Sequence, residues 1–536
     1  MVNLVHEFLI ENVQRFADNQ VLKDRTGVTL NMLELDELTN QIANFIIGLN
    51  IKKGDTVALF LETSTYAAAF VFGVMKSGAI YVPLNIQSPI AVIDKILYQT
   101  NPKLIIIDSR YEKLFSNSSY VIETHTPILA NTYNTISSNE VQVYSLNELK
   151  PLHKKKVINQ PNIIPKDLLC IIYTSGTTGN PKGVMCRHEN IVPFFHYVSK
   201  TFKHGSTFVT MSRSPLSFDP YLTEIIPNMM NGGRVYFCSF TTLSSFFRTI
   251  EREKINDFDC PPSLMNILIK NPQYIVKYDL SSIKEIWIGY EYCHIPYVKK
   301  LQELFPDAKI FHGYGTSETY ASSAFYEVCE IPSIWKALPI GIPVDGTELL
   351  IINEQGTETE PGEIGEMVVR GSSVMPGYWK DADATKKAFR PNPLYPQNNE
   401  RVYYTGDLFT SDSFGNQFYV GRCVNQKKIN GYRVELMEIE RCILQLSWVE
   451  GCEPIVVTVD DIDKIICYIV SDERKRELPM LRNHCKENLE TYKIPSEFIY
   501  IDKMPINNNG KVDINKLKSW YYESINSKGK LVQEHV

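Results

Sequence analysis

The sequence predicts an α/β protein: a large N-terminal α/β domain with an appended antiparallel β subdomain, plus a small, mobile C-terminal α+β domain. Through the first four hundred residues, short β-branched runs alternate with segments of helical period, which is typical of buried, largely parallel strands. Around residues 363–378 the pattern changes to strand pairs punctuated by Gly and Pro, which favours antiparallel pairing. Beyond Arg422 the remaining chain is long enough for an independent domain.

The individual elements follow from local periodicity. The first twenty residues contain an amphipathic helical pattern, and not the charged-then-apolar pattern of a secretory signal. Strands are predicted over residues 56–61, 103–108, 168–173 and 285–288, with helices over residues 33–49 and 66–76. The C-terminal region predicts a helix over 436–445, strands over 453–459 and 464–470, a helix over 478–490, and then a loop-rich end that frays from Glu523. The resulting domains are residues 1–422 and 423–536, with a hinge near Val424.

Length and charge exclude several classes of protein. The chain has 536 residues, which at about 150 residues per domain excludes one small module. A net charge of −6 is too small to direct the chain to nucleic acid or to an anionic membrane. The eleven cysteines include no Cys-x-x-Cys pair, so neither a zinc site nor a disulfide framework is indicated. We therefore expect a cytoplasmic enzyme with no membrane anchor.

The strongest chemical signal is YTSGTTGNPKG (residues 173–183), which directly follows a predicted buried strand. The motif predicts a phosphate-binding loop, because it combines hydroxyl groups, backbone amides turned outward at glycine and a lysine ammonium. The residues that supply these groups are Ser175, Gly176, Thr177, Thr178, Gly179 and Lys182. The motif is not a Walker A loop, because Lys182 follows Pro181 and not glycine. The alternative is a flexible linker.

Seven further motifs occur in a fixed order along the chain: KSGAIYVPLN (76–85), SFDP (217–220), GYGTSE (313–318), GEIGEMVVRG (362–371), YYTGDL (403–408), GRCVNQKKINGYRVELMEIE (421–440) and NNNGKVD (507–513). With the phosphate loop, this set resembles the adenylate-forming superfamily, and within it the amino-acid adenylation domains of nonribosomal peptide synthetases. The resemblance covers nearly the whole chain. It implies that a carboxylate and MgATP give an acyl-adenylate and pyrophosphate, and that a thiol then attacks the adenylate.

The resemblance also implies roles for individual residues. Lys511 would bridge the substrate carboxylate and the α-phosphate, a role that suits a compact ammonium, although it could also be a solvated loop lysine. Glu318 would be the magnesium ligand, since a hard ion prefers oxygen donors. Tyr314 would stack on adenine, the alternative being ordinary core packing. The remaining nucleotide-binding positions would be Thr174, the phosphate-loop residues above, Gly313, Gly315 and Ser317.

Asp407 and Arg422 form the predicted ribose end of the nucleotide site. Asp407 follows a strand-like run, and a carboxylate there can accept two hydroxyl hydrogens, so the resemblance assigns it to the ribose. Arg422 would contact the ribose or the phosphates and lead into the small domain. The two side chains could instead form one structural salt bridge.

Asp219 indicates the class of substrate. In amino-acid-activating members an Asp in this context pairs with the substrate's α-ammonium, which a buried carboxylate requires as a counter-ion. The alternative is an Asp that caps the turn before Pro220. Alignment to the family predicts the other substrate-binding positions as Pro220, Thr223, Asp259, Trp287, Gly289, Gly313, Ala321 and Ser322. In this pocket the two glycines would open space, Trp287 would block one wall, and Asp259 would pair with a polar or basic side chain or satisfy a turn.

The absence of condensation, carrier and thioesterase motifs predicts a freestanding activator whose acceptor is the phosphopantetheine thiol of a separate carrier protein. At the hinge, Val424 replaces the usual Asp or Lys, which predicts altered switching because β-branched residues are conformationally stiffer. A D-alanine carrier-protein ligase shares every motif and stays open as an alternative. An acyl- or aryl-CoA ligase is disfavoured by Asp219. A non-catalytic member is disfavoured by the joint presence of Lys182, Glu318, Asp407 and Lys511.

Overall fold

A computed structural model describes residues 2–132, 142–174, 181–202, 204–240, 242–289, 293, 295–320, 323–335, 337–422, 426–429, 432–460, 462–471, 478–505 and 512–533. The chain divides into two compact units. The larger unit takes in most of the chain up to Arg422, and the smaller unit takes in most of the chain from residue 426 together with Gln87–Val92. The domain boundary and hinge expected from the sequence stay predictions, and Val424 lies outside the described residues.

The strands up to Arg422 are β1 (Gln20–Asp24), β2 (Thr29–Asn31), β3 (Thr56–Phe60), β4 (Ile80–Pro83), β5 (Leu104–Asp108), β6 (Ile128–Asn131), β7 (Val143–Tyr144), β8 (Leu168–Thr174), β9 (Lys182–Arg187), β10 (Val209–Ser212), β11 (Arg234–Phe237), β12 (Asp257–Asp259), β13 (Glu285–Gly289), β14 (Lys309–Tyr314), β15 (Ala324–Glu327), β16 (Ile342–Pro343), β17 (Thr347–Ile352), β18 (Ile364–Gly371), β19 (Phe389–Pro391), β20 (Arg401–Ser411) and β21 (Gln417–Arg422). The helices of this region are α1 (Glu7–Phe16), α2 (Met32–Gly48), α3 (Thr65–Ser77), α4 (Ile90–Thr100), α5 (Glu112–Ser116), α6 (Ser119–Thr124), α7 (His188–Phe202), α8 (Pro220–Met229), α9 (Leu243–Glu253), α10 (Pro262–Lys270), α11 (Ile295–Leu304) and α12 (Ala382–Ala388).

Three sheets organise the larger unit. A nine-stranded sheet has the order β16-β15-β14-β13-β12-β10-β11-β1-β2, with parallel pairing from β14 to β1 and antiparallel pairing at both edges. A seven-stranded sheet has the order β7-β6-β5-β3-β4-β8-β9 and is parallel except for β9. Strands β17 to β21 form a third, antiparallel sheet. The predicted α/β architecture and its antiparallel subdomain are confirmed.

The apolar helix α3 is a core helix. Ser64 caps its start by accepting from the Ala67 N–H, and Gly78 ends it in the left-handed conformation at φ 78°. A Cβ at Gly73 would lie 2.4 Å from Cγ2 of Ile42 on α2, so glycine permits this close helix packing. No helix in the described part of the chain is long and apolar enough to cross a membrane.

The C-terminal region contains β22 (Gln426–Ile429), β23 (Tyr432–Glu435), α13 (Leu436–Ile443), β24 (Gly451–Val459), β25 (Ile462–Val470), α14 (Leu478–Asn488), β26 (Glu497–Tyr500) and α15 (Ile514–Gln533). Strands β24, β25 and β26 form one sheet, and β22 pairs with β23. The predicted α+β character is confirmed, but the predicted loop-rich end is wrong, because α15 occupies Ile514–Gln533. The fraying expected from Glu523 stays a prediction. Helix α15 buries Leu517 and Tyr521 in a cluster with Ile455 and Ile466 of the sheet, and such tertiary packing stabilises a helix whose local pattern is mostly polar.

Candidate active site

The carboxyl ends of four parallel strands place much of the predicted site at one edge of the nine-stranded sheet. Ser212 ends β10, Asp259 ends β12, Gly289 ends β13 and Tyr314 ends β14. In open α/β sheets ligands bind outside the carboxyl ends of the strands. The fold therefore gathers here positions that the sequence separates by about a hundred residues.

Tyr314 and Arg422 both contact Asp407 directly. The Tyr314 hydroxyl donates to Oδ2 of Asp407 at 2.9 Å, and Nε of Arg422 donates to Oδ1 at 2.5 Å. The carboxylate and the guanidinium side chains are only 3% and 7% exposed. Burial, followed by the neighbouring Asp407, raises the pKa of Tyr314 well above its ordinary value, so the phenol keeps the proton that it donates. The salt bridge offered above as the alternative is therefore what the structure shows, and ribose binding by Asp407 stays a prediction.

A bulge in β20 presents Asp407 at this position. Opposite β18, the register shifts between Glu366 and Val368, so that extra residues of β20 lie between the paired positions. Gly406 has φ 72°, a left-handed conformation that favours glycine. The Thr405 hydroxyl donates to the carbonyl of Met367 at 2.8 Å and accepts from the Asp407 N–H at 3.0 Å. The Thr-Gly-Asp sequence thus fixes both the bulge and its carboxylate.

Glu318 lies in the short 3₁₀ turn Ser317–Thr319 that follows β14. Its side chain is buried, and its Oε1 accepts a 2.7 Å hydrogen bond from the hydroxyl of Tyr378. The Tyr378 ring in turn lies 5.5 Å from Nζ of Lys182, within cation–π range. The predicted magnesium ligand and the predicted phosphate-binding lysine therefore both contact Tyr378. No sequence pattern indicated a role for this tyrosine.

The β8–β9 hairpin carries the predicted phosphate loop. Thr174 at the end of β8 pairs with Lys182 at the start of β9. A Cβ at Gly183 would lie 3.0 Å from Cζ of Tyr173 and 3.2 Å from Cβ of Trp379, so the strand is closely packed at the base of the loop. The loop residues themselves, namely Ser175, Gly176, Thr177, Thr178 and Gly179, lie outside the described residues. So do Ala321, Ser322 and Lys511.

Asp219 precedes α8, and Pro220 begins this helix, where proline is well tolerated. The Asp219 side chain makes no capping hydrogen bond to the helix, so the structure does not show the capping role considered above. Burial first, and then Cys170, Cys186 and Asp219, raise the pKa of Tyr320. One turn into α8, the hydroxyl of Thr223 donates to the carbonyl of Pro220 at 2.8 Å.

Asp259 lies beside a partly buried glutamate, Glu224, that no local sequence pattern indicated. Glu224 of α8 accepts through Oε2 from the Ser212 hydroxyl at 2.5 Å and from the N–H groups of Arg213 and Ser214 at 3.0 and 3.2 Å. Burial, followed by the charge of Asp259 and a hydrogen bond to it, raises the pKa of Glu224. Nη1 of Arg213 donates to the backbone carbonyl of Asp259 at 2.9 Å.

The wall expected from Trp287 is part of an aromatic cluster. Its ring stacks on Phe311 with centroids 4.8 Å apart and meets Phe202 and Phe325 edge-on. A Cβ at Gly289 would lie 2.5 Å from the carbonyl oxygen of Gly313, so strand packing requires glycine here. The space that Gly289 was expected to open for the substrate stays a prediction.

The donor set of the site suits magnesium held together with a nucleotide. Mg²⁺ is usually bound by one or two carboxylates plus substrate phosphates, and not by a cage of protein ligands. The described residues contain no group of three or more His, Cys, Asp or Glu side chains that could hold a metal, and they do provide the buried carboxylate of Glu318. Glu318 therefore fits a single-carboxylate role.

A family model described as AMP-binding enzyme matches residues 9–379. The chain belongs to this family. It is similar to surfactin synthase subunit 3 from Bacillus subtilis (strain 168), with 30% identity over 91% of this chain and 36% of the relative. It is also similar to gramicidin S synthase 1 from Brevibacillus brevis, with 28% identity over 96% of this chain and 44% of the relative. The chain spans less than half the length of these curated relatives.

Solved structures share the fold. An NRPS protein containing adenylation and PCP domains, PA1221, has a TM-score of 0.80 at 22% identity over 96% of this chain and 84% of that one. The amide bond synthetase McbA from Marinactinospora thermotolerans has a TM-score of 0.83 at 18% identity over 97% and 99% of the two chains. The predicted resemblance to peptide synthetase adenylation domains is confirmed, and the family to which the chain belongs is that of AMP-binding enzymes.

Proposed function

We propose that this chain activates an amino acid with MgATP and then transfers the aminoacyl group to the phosphopantetheine thiol of a carrier protein. In the first step a carboxylate oxygen of the amino acid bonds to the α-phosphorus of ATP, and the bond to pyrophosphate breaks. In the second step the thiol sulfur bonds to the carbonyl carbon, the thiol loses its proton, and AMP leaves. A separate carrier protein stays a prediction.

The observation that carries the proposal is the contact network around Glu318 and Asp407. Lys182 and Glu318 share Tyr378, while Asp407 receives hydrogen bonds from Tyr314 and Arg422. A reaction between two anions needs fixed positive charge and fixed geometry more than proton transfer. Mg²⁺, held by Glu318 and the phosphates, would neutralise charge that develops on the phosphate oxygens.

The described residues have separable roles in this reaction. Lys182 would hold the phosphates by charge. A carboxylate accepts up to about four hydrogen bonds, and Asp407 accepts two from the described side chains, so it retains capacity for ribose hydroxyls. Lys511, outside the described residues, would place the substrate carboxylate against the α-phosphate.

Two lines of support favour an amino acid. The relatives named above are synthases of surfactin and gramicidin S, and they match over more than nine tenths of this chain. Asp219 lies at the start of α8 and acts electrostatically on Tyr320, two residues beyond Glu318. A substrate ammonium at Asp219 would therefore bind close to the segment that carries the proposed metal ligand.

Amino-acid-dependent exchange of labelled pyrophosphate into ATP tests the proposal. Exchange with particular L- or D-amino acids is expected, whereas exchange with aryl or fatty acids alone would contradict the amino-acid assignment. Exchange with D-alanine alone would identify a D-alanine ligase, the alternative left open by the sequence. Transfer is tested with a labelled aminoacyl group and a purified carrier protein bearing phosphopantetheine, and absence of labelled carrier would contradict the second step.

Substitution at Asp219 tests the substrate anchor. Asp219→Asn is expected to raise KM for the amino acid about 10- to 150-fold, which corresponds to loss of a charge-assisted hydrogen bond of about 1.5–3 kcal/mol. KM for ATP should change little. Asp279→Asn is the matched control, because this carboxylate is half exposed and pairs with Lys254. Equal amino-acid KM values for the two variants would contradict the proposal that Asp219 binds the substrate ammonium.

A further inference from the structure

The segment of residues 375–379 links two parts of the candidate site that are distant in sequence. At one end the Met375 N–H donates to the backbone carbonyl of Glu318 at 3.0 Å. At the other end the Trp379 N–H donates to the carbonyl of Gly183, in β9, at 2.7 Å. The segment therefore ties the turn that carries Glu318 to the hairpin that carries the predicted phosphate loop.

Tyr378 is the side chain of this segment that faces both groups. Its hydroxyl donates to Oε1 of Glu318 at 2.7 Å, and its ring lies 5.5 Å from Nζ of Lys182. Its backbone N–H donates to Oγ1 of Thr385 at 2.9 Å, and its ring meets Phe389 edge-on. The tyrosine is 5% exposed. Tyr378 is thus held on several sides while it contacts both an anionic and a cationic side chain of the site.

We propose that Tyr378 is a positioning residue that fixes the carboxylate of Glu318 relative to Lys182 and thereby sets the affinity of the site for the divalent ion of the metal–nucleotide complex. This inference rests on the proposed function, because that function assigns the metal to Glu318 and the phosphates to Lys182. Tyr378 itself contacts neither the ion nor the nucleotide in this scheme.

Tyr378 acts by restricting the orientation of the Glu318 carboxylate. Glutamate has rotatable side-chain torsions, and Mg²⁺ requires a nearly ideal octahedral arrangement of ligands. A hydrogen bond to one carboxylate oxygen selects one orientation before the ion arrives. Loss of such an outer partner of a metal ligand reduces metal affinity by about 10- to 100-fold. The same hydroxyl in a purely structural role would change stability but not metal affinity.

The decisive variant is Tyr378→Phe, which removes one oxygen and keeps the ring near Lys182. Mn²⁺ serves as the probe, and its binding to the full chain with ATP is followed by electron paramagnetic resonance. We expect Mn²⁺ binding about 10- to 100-fold weaker, and a matching rise in the Mg²⁺ concentration for half-maximal pyrophosphate exchange. Metal-free ATP binding, measured by calorimetry in a chelator, should stay within about twofold of the parent.

The matched control is Tyr120→Phe. Tyr120 is also buried, and its hydroxyl bonds to Asn101 and Pro102, away from the candidate site. This variant should show the parental Mn²⁺ affinity. Equal Mn²⁺ affinities for the two phenylalanine variants would overturn the proposal. If Tyr378→Phe does not fold, Thr385→Val removes the hydroxyl that accepts from the Tyr378 N–H, and unchanged Mn²⁺ affinity in that variant would overturn it as well.

A double-mutant cycle separates this inference from the function on which it rests. Tyr378→Phe should weaken Mn²⁺ binding in the parent but have no further effect in Glu318→Gln, because the tyrosine acts through that carboxylate. If Glu318→Gln alone leaves Mn²⁺ binding unchanged, the metal assignment itself is wrong. If Glu318→Gln weakens Mn²⁺ binding and Tyr378→Phe does not, only the positioning role is wrong.

Discussion

The hydroxyl of Tyr314 donates a 2.9 Å hydrogen bond to Oδ2 of Asp407, and this bond joins the end of β14 in the nine-stranded sheet to β20 in the antiparallel sheet. The other carboxylate oxygen receives Nε of Arg422 from β21. One buried carboxylate is therefore both a junction between two sheets and the predicted ligand of the ribose. Stability and nucleotide binding should consequently depend on the same residue.

Asp407→Asn is expected to lower both properties. It removes the negative charge from the buried ion pair with Arg422, a change that typically costs about 3–5 kcal/mol. Urea unfolding measures this loss, and calorimetric titration with ATP measures the weaker binding. Tyr314→Phe is the control, because it removes only one donor and should cost about 1 kcal/mol. Equal stabilities of the two variants would contradict the role of the ion pair.

Lys182→Met should slow adenylation without unfolding the chain. The proposed function uses this ammonium to stabilise charge on the phosphates, and removal of one such group typically lowers kcat about 10²- to 10³-fold. Pyrophosphate exchange at saturating substrates measures the effect. The control is Lys254→Met, since Lys254 is exposed and pairs with Asp279. A rate for Lys182→Met equal to that of the control would show that the phosphate assignment is wrong.

Local patterns predicted much of the fold. The run that predicts a strand over residues 168–173 is β8 (Leu168–Thr174), and the predicted helix over residues 66–76 is α3 (Thr65–Ser77). Both are continuous apolar segments with clear boundaries, so neighbouring residues suffice to identify them. Helix α15 was missed because the contacts that stabilise it come from β24 and β25.

The candidate site was predicted less completely, because several of its contacts join distant segments. Tyr378 lies sixty residues from Glu318 and almost two hundred from Lys182, and no local pattern connects them. Glu224 is near Ser212 in the chain, but its role depends on α8 folding back onto the end of β10. Gly289 shows a different limitation: the sequence suggested a substrate role for its small size, but only the structure shows that the nearby carbonyl of Gly313 also requires glycine.

Glu224 should make the stability of the chain depend on pH. Burial, followed by Asp259, raises its pKa above the ordinary 4.5, so above pH 4.5 the folded state holds a proton that the unfolded state has lost. The contribution of Glu224 to the free energy of unfolding is therefore at its full value below pH 4.5. It decreases as the pH rises through the folded-state pKa. Glu224→Gln mimics the protonated form and should show a smaller decrease. The control is Glu348→Gln, at an exposed ion pair. Parallel curves of unfolding free energy against pH for the parent and Glu224→Gln would contradict this prediction.

His188 should give the opposite dependence on pH. Burial lowers its pKa from 6.5 to about 4, and its Nδ1 accepts from the Val5 N–H at 3.0 Å, which requires that nitrogen to be unprotonated. Between pH 6.5 and 4 the unfolded state binds the extra proton, so the parent should lose up to about 3 kcal/mol as the pH falls through this window. His188→Asn keeps an acceptor but does not titrate, and urea unfolding at pH 7 and pH 4.5 should show a smaller loss. His153→Asn, at an exposed histidine, should retain the parental loss. If His188→Asn loses as much stability as the parent, the acid sensitivity of the fold arises at other groups.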